Sequence, residues 1–434
     1  VNLSSLPYEQ NPERLFLRLS RLADCIWLDS GRPGSILGRY DILTALPTTR
    51  ISGNSQDLAQ QLQERLSSYR DTADLPFCGG WIGYLAYESG HNTLGLPPSE
   101  KDGPPLPQAW FGWYDWAVVV DHYKQSTQLV FLDSCPEEIR AQVRETLAQE
   151  PTADLTFKCT PFNPDESRDE YLRALTRIRA YLLAGDTYQV NYTQRFSARF
   201  QGSTAGAYLA LRQTVPSPFS AYLSLAEGVI LSISPERFIQ IQGRQALTQP
   251  IKGTFPRGKN PEEDEALKTE LQKCPKNRAE NVMIVDLLRN DFSKHCEPFS
   301  VQVPELFGLQ SFANVHHLVS SVTGILETSV NHPEFILACF PGGSITGAPK
   351  KRAMEIIDEL ESHTRSVYCG AVGYFSCNGN TDFNIAIRTL VQAGEWLHAW
   401  AGGGVVVDSD PEQEYAESLF KIQALLRALQ RRPA

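Results

Sequence analysis

No run of about 18 apolar residues interrupts the chain, so no helix is expected to span a membrane. No secretory leader and no low-complexity tract is recognisable either. Blocks of lysine and arginine are missing as well, and the formal net charge is −10. A nucleic-acid or anionic-membrane surface is thereby disfavoured, and an anionic substrate has to find a local cationic site. The nine cysteines include no C-x-x-C pair, are odd in number and lie scattered, as in a reduced, cytoplasmic protein rather than a disulfide-stapled one. What remains is 434 residues, 42% hydrophobic and 21% charged, enough for one large core or two domains.

Several elements can be read in chain order. Asn11-Pro12 with Leu15, Leu19 and Leu22 predicts a helix capped by Asn11, with Pro12 as its first residue. Strands are expected at Cys25 to Leu28, Gly80 to Tyr84, Trp110 to Val120 and Leu129 to Leu132, with Trp81, Tyr84, Trp110, Trp113 and Trp116 in the core. The polar, proline-bearing stretch from Glu150 to Pro164 reads as a linker between parts 1–160 and 161–434. After it, Ser167 to Glu170 is a capping box before a stripe of Tyr171, Leu175, Ile178 and Leu182. Asn260-Pro261-Glu262-Glu263 opens another helix. The following one is apolar nearly all round through Val282 to Leu288, yet carries Arg278, Glu280, Asp286 and Arg289, as salt-bridged structural charges or as ligands. The Asn378-Gly379 pair predicts a hairpin whose second strand runs from Phe383 to Leu390. Gly80-Trp-Ile-Gly-Tyr84 echoes Gly370-Ala-Val-Gly-Tyr374, too briefly to establish a repeat.

Gln249-Pro-Ile-Lys-Gly-Thr254 presents a lysine between a stiff and a permissive neighbour, either a surface turn or an amine aimed at a substrate. A lysine becomes nucleophilic only when desolvated or deprotonated by a neighbour. The glycine-rich run from Phe340 to Lys350 enters a helix whose free N–H groups suit a carboxylate or phosphate, but without a Walker A closure. Arg388, on a small polar strand face, is suited to clamping a carboxylate or simply to solvation. Glu414, Glu417 and Lys421 share one helix face, either as a Glu417–Lys421 surface pair or as carboxylates for a hard cation.

The order of these motifs resembles the chorismate-utilising enzymes. The resemblance is carried by Gly185-Asp-Thr-Tyr-Gln-Val-Asn191, Ser234-Pro-Glu-Arg-Phe238, Pro250-Ile-Lys-Gly-Thr254, Arg278-Ala-Glu280 with Asp286 and Arg289-Asn-Asp291, His317-Leu-Val-Ser320, Gly343 to Lys350, Ile385-Ala-Ile-Arg-Thr389 and Asp408 to Glu417. It covers roughly residues 165 to 425, more weakly the part before. It implies an α+β fold of packed antiparallel β-sheets flanked by helices, in two intertwined parts, the second binding chorismate. Within the family, water-using isochorismate and salicylate synthases resemble one another in a lysine where this chain has Gln189, and anthranilate synthases carry alanine at Lys252. Ammonia is thus the implied nucleophile, with the enolpyruvyl group retained to give 4-amino-4-deoxychorismate, a precursor of para-aminobenzoate and folate. The resemblance makes Lys252, Glu236 and His317 catalytic, with Gln189, Thr254, Tyr368, Arg388, Gly404 and Lys421 binding substrate. It places Mg²⁺ on Glu280 and Glu417, with Glu414 acting through water. Ammonia is expected from a separate glutamine amidotransferase subunit, since none of the nine cysteines lies in a Gly-x-Cys-x-Gly turn. Some relatives hold tryptophan in the N-terminal part, by a motif that Leu28-Asp29-Ser30 only partly resembles.

Overall fold

A computed structural model of the chain describes residues 1–35, 37–53, 57–69, 73–311 and 315–430. Short runs rich in β-branched and aromatic residues, punctuated by glycine and proline, form strands that pair antiparallel in two large sheets. The first sheet runs from Asn2–Leu6 through Ser126–Phe131, Trp116–Asp121, Tyr40–Thr44, Ile26–Asp29, Phe219–Leu225, Gly228–Ser234, Thr389–Ala393 and Trp396–Val405 to Gln189–Gly202. The second begins at Ile251–Pro256 and Val315–Ile325. It continues through Gln245–Gln249, Arg237–Gln242, Asn380–Asn384, Ala371–Ser376 and Gly80–Leu85 to Ala109–Tyr114 and Thr49–Ser52. The α+β arrangement of packed antiparallel sheets is therefore the one expected.

The chain passes directly between the sheets at residues 45–48, 115, 235–236 and 385–388. Strands on both sides of residue 160 enter each sheet, so parts 1–160 and 161–434 do not own separate sheets. Nor is 150–164 a bare linker: Phe157–Cys159 and Asn163–Pro164 pair with the long strand Gln189–Gly202. Side-chain alternation sorts the first sheet's residues between two cores. Ile26, Ile42, Ala117 and Val119 pack in the core shared with the second sheet. Trp27, Leu43, Val118 and Val120 pack in the other core with Leu15, Phe16, Leu209 and Leu425 of the outer helices. The five predicted core aromatics are all buried. Gly80–Leu85 and Ala371–Ser376, the two similar pentapeptide strands, are direct neighbours with Gly83 opposite Gly373. A Cβ at either would lie about 2 Å from a carbonyl of the next strand, Trp110 or Asp382.

Local differences from the sequence reading have simple causes. The first helix spans Glu13–Leu19 with Pro12 as its cap, while Asn11 accepts from Glu13 N through its side chain. The expected strand from Trp110 to Val120 breaks at Asp115, and the expected strand from Phe383 to Leu390 ends at Asn384, because both segments change sheets there. The helix Pro275–Ser293 buries one face only, through Ile284, Val285, Leu288 and Phe292. Val282 is exposed, and Asp286 and Arg289 form an ion pair of 2.8 Å on the outer side. The predicted capping box at Ser167 and Glu170 is present.

A buried ion pair fastens this helix to the glycine-rich loop: Lys350 Nζ lies 2.6 Å from Asp291 and donates to Cys339 O. Removing one partner of a buried pair leaves an uncompensated charge. Lys294, 3.5 Å from the same carboxylate, remains to soften the loss. Lys350→Met should therefore destabilise the protein by about 3 kcal/mol, the low end for such pairs, as read by urea denaturation.

Candidate active site

The site is assembled where the chain leaves the first sheet for the second. The two crossings at 235–236 and 385–388 run side by side. Ile385 N donates to Glu236 O at 3.0 Å, Ile233 N to Arg388 O at 3.0 Å, and Ser234 Oγ to Ile385 O. Arg388 takes φ +51°, a conformation a non-glycine residue keeps only where its surroundings impose it. Glu236 is buried, accepts from the Ser344 hydroxyl and from Ile251 N–H, and stands near Lys252. Burial pushes its carboxyl up to about 7 against these three opposing influences.

Lys252 lies on a β-bulge. Ile251 pairs with Val319 and Thr254 with His317, so the 251–254 side carries one residue more than its partner. Gly253 holds φ +83°, and a Cβ there would press on Asn277 and Leu271. Burial lowers the pKa of the Lys252 amine, opposed by the charges of Glu280, Glu236 and Glu417. Three acids from three elements thus surround one amine, and Lys421 adds a repelling cation. Beside the bulge, the Thr254 hydroxyl and His317 Nδ1 bond at 2.8 Å. Burial first and the Arg388 charge second lower His317 to about 4, partly offset by its bond to the Gly253 backbone. His317 is therefore a neutral imidazole at ordinary pH.

The opposite wall comes from the strand Trp396–Val405 and the final helix Pro411–Gln430. Gln189 is fully buried, its carboxamide has no hydrogen-bond partner among the described residues, and a Cβ at Gly404 would lie 2.9 Å from it. A Cβ on Gly403 would sit 3.1 Å from Lys421 Nζ, 3.4 Å from Glu414 and 3.9 Å from Glu417. The glycine run of this strand thus leaves room for two carboxylates and an ammonium. Lys421 pairs with Glu417 at 2.7 Å and donates to Gly402 O. Burial raises the Glu414 pKa, although Ser409 Oγ donates to it at 2.7 Å. For Glu417, burial is outweighed by Lys421, Lys276 and Lys252, and its pKa is lowered.

Lys252, Glu236, Glu280, Glu417 and Lys421 are thus brought together, His317 and Thr254 adjoin Arg388, and Gln189 packs on Gly404. Tyr368 is buried with its ring stacked on Trp400 at 5.9 Å, among Cys369, Arg365 and Glu361. Two residues given no role from sequence belong to the frame: Ser344, which holds Glu236, and Arg365, whose backbone carbonyl accepts from Tyr368 N. Ser344 lay inside a recognised motif, whereas nothing local to Arg365 signals a link to the site. As donors for a cation, Glu280 and Glu417 supply hard carboxylate oxygens near Lys252, and Glu414 a third beside Glu417, donors of the kind Mg²⁺ takes. Among the described residues no group of three His, Cys, Asp or Glu side chains is close enough to hold an ion unaided.

A separate cavity of about 440 Å³ lies between the sheets, lined by Leu28, Asp29, Ser220, Arg237, Gln249 and Asp382 among others. Pro235 and Arg237, on either side of Glu236, line it, as does Ile251 just before Lys252; Glu236 and Lys252 do not. The two spaces therefore share a wall. The Asp29 carboxylate is occupied by Arg212, Tyr208 and Gly31 N.

A desolvated lysine among carboxylates, beside a neutral histidine and a half-buried arginine, defines an enzyme for a small anionic substrate. Residues 23–427 match the family model described as chorismate binding enzyme, and the chain belongs to that family. It is 40% identical to "Aminodeoxychorismate synthase component 1" of Klebsiella aerogenes, over 98% of each chain. It is 39% identical to "Anthranilate synthase component 1" of Thermus thermophilus, over 82% of this chain and 78% of that one. Among solved structures, anthranilate synthase component I from Streptococcus pneumoniae superposes with a TM-score of 0.82 at 31% identity, covering 91% of this chain and 93% of that one. Among the described residues no helix is long and apolar enough to cross a membrane.

The raised Glu236 pKa has a measurable sign. Between pH 4.5, the value of an unperturbed glutamate, and about 7, the folded protein keeps a proton on Glu236 that the unfolded chain has released. Its contribution to stability therefore falls as pH rises through that window. The stability of the wild type minus that of Glu236→Gln should decline by on the order of 3 kcal/mol across this range and then level off, in urea titrations at a series of pH values.

Proposed function

We propose that this chain is the aminating component of an aminodeoxychorismate synthase, converting chorismate and ammonia into 4-amino-4-deoxychorismate. The observation that carries the proposal is Lys252, set on a bulge and desolvated among Glu236, Glu280 and Glu417. Resemblance to aminodeoxychorismate synthase component 1 along 98% of the chain supports it, against 82% for the anthranilate synthase of similar identity. The anthranilate synthases resemble one another in alanine at position 252, which has no amine to offer.

In this reading Arg388, with Tyr368 and the backbone near Gly404, holds the enolpyruvyl carboxylate, and Lys421 adds positive charge for the dianion. Glu280 and Glu417 would hold Mg²⁺, with Glu414 acting through water, and the ion would supply positive charge for the ring carboxylate. The Lys252 amine forms a bond to ring carbon 2 as the bond from carbon 4 to its hydroxyl breaks, and Glu236, protonated near neutrality, gives the leaving oxygen its proton. Ammonia then bonds to carbon 4, the bond from carbon 2 to Lys252 breaks, and Glu236 takes up a proton from the new amine. His317, neutral and held by Thr254, orders the ring side of the site. Gln189, with no lysine to activate water, leaves ammonia as the nucleophile. The name "component 1" of the relatives implies a second component, which in this proposal is a cytoplasmic glutamine amidotransferase docking to deliver ammonia.

The test is product analysis with chorismate, Mg²⁺ and ammonium. Aminodeoxychorismate is expected, lost in excess chelator, and made from glutamine only when a separate glutaminase subunit is added. Fluorescent anthranilate as the product, or undiminished turnover in chelator, would overturn the assignment. Intact-mass measurement should also find a covalent adduct on wild-type protein given chorismate without ammonia, absent from Lys252→Ala.

A further inference from the structure

We infer that Arg365, which takes no part in the chemistry proposed above, is the positioning residue that sets the distance between the loop holding Glu236 and the strand carrying Gln189. Its guanidinium is almost fully buried and reaches three segments at once. Nε and Nη2 form a fork onto the Glu361 carboxylate at 2.9 and 2.6 Å. Nη1 donates to Ile345 O at 2.9 Å and Nη2 to Asn191 O at 2.5 Å, and the group lies over the Tyr87 ring at 4.4 Å.

Two of these contacts lie next to groups of the proposed site. Ile345 follows Ser344, the hydroxyl that holds Glu236. Asn191 stands two residues beyond Gln189 on the same strand and pairs with Gly404. The loop and strand are joined again where Asn191 N donates to Thr346 O at 2.8 Å. Glu361, the partner of Arg365, accepts from both Thr193 N and Thr193 Oγ1, fixing the strand a second time. The Arg365 backbone serves as well: its N–H donates to Glu88 at 2.6 Å, and its carbonyl accepts from Tyr368 N. One planar, always charged guanidinium therefore ties the loop whose Ser344 holds Glu236 to the strand bearing Gln189, while the Arg365 backbone carbonyl reaches Tyr368. A lysine ammonium cannot supply both the fork and two carbonyl bonds in one plane.

The inference rests on the proposed reaction, and the test separates the two. Arg365→Lys and Arg365→Met/Glu361→Gln are compared with the wild type, the double variant removing the buried charge that a single truncation would strand. Steady-state kinetics with saturating ammonium should show kcat lowered about 10- to 100-fold in the double variant, with KM for chorismate changed less than about threefold. Arg365→Lys should lie between, with kcat partly restored. Hydrogen exchange followed by mass spectrometry, which needs no turnover, should show faster exchange confined to 187–193 and 342–349, with strands Trp116–Asp121 and Ser126–Phe131 unchanged. Wild-type kcat in the double variant, or exchange that rises equally throughout the molecule, would overturn the positioning role. A wild-type protein without chorismate turnover would sink the proposed reaction instead, leaving the exchange pattern to decide on Arg365.

Discussion

Everything in the site depends on two stretches of backbone that change sheets side by side. A chain crossing from one layer to the next cannot keep a regular ladder, so its N–H and C=O groups must find partners off the ladder. At 233–236 and 385–388 the two crossings satisfy each other, through Ile385 N to Glu236 O, Ile233 N to Arg388 O and Ser234 Oγ to Ile385 O. This mutual arrangement places a carboxylate and a guanidinium at the seam. It also accounts for the left-handed backbone of Arg388. A position of that kind is maintained by surrounding structure, not by the residue's own preference.

Around the seam, desolvation sets the charge states and the specific partners adjust them. Burial drives Lys252 toward the neutral amine and Glu236 toward the neutral acid, and their mutual attraction opposes both. His317 is held neutral by burial and by the Arg388 charge. The Lys252 amine and the Glu236 carboxyl are thus closer together in acidity than they are in water, which suits the one to act as nucleophile and the other as acid near neutral pH. At the opposite wall the glycines at 402–404 matter by what they leave out, since a side chain at 403 or 404 would occupy the space of Glu414, Lys421 or Gln189.

The cavity between the sheets shares its wall with this site without sharing its residues. Pro235, Arg237, Gln249 and Ile251 line the cavity, while Glu236 and Lys252 do not. A change of packing in either space therefore acts on the same strands.

Some of this was legible in the chain before any fold was known. Caps and turns obey chemistry that reaches only a few residues, so the Ser167 capping box, the Asn260 cap and the Asn378-Gly379 turn were read correctly. The motifs around Lys252, Glu236, Arg388 and Glu417 marked the family, because a site's chemistry demands particular side chains at particular spacings. Strand ends at Asp115 and Asn384 were not legible, since a change of sheet leaves the apolar pattern continuous while both faces stay buried. Nor could the pattern show that Val282, Asp286 and Arg289 face outward, because an apolar helix is told from an amphipathic one only by what packs against it. The sequence by itself determined which groups are available and which local turns present them. Tertiary structure alone decided that Arg365 and Ser344 belong to the frame and that an exposed-looking lysine is desolvated. Desolvation and hydrogen bonding across 100 residues or more are properties of neighbours that only the folded chain supplies.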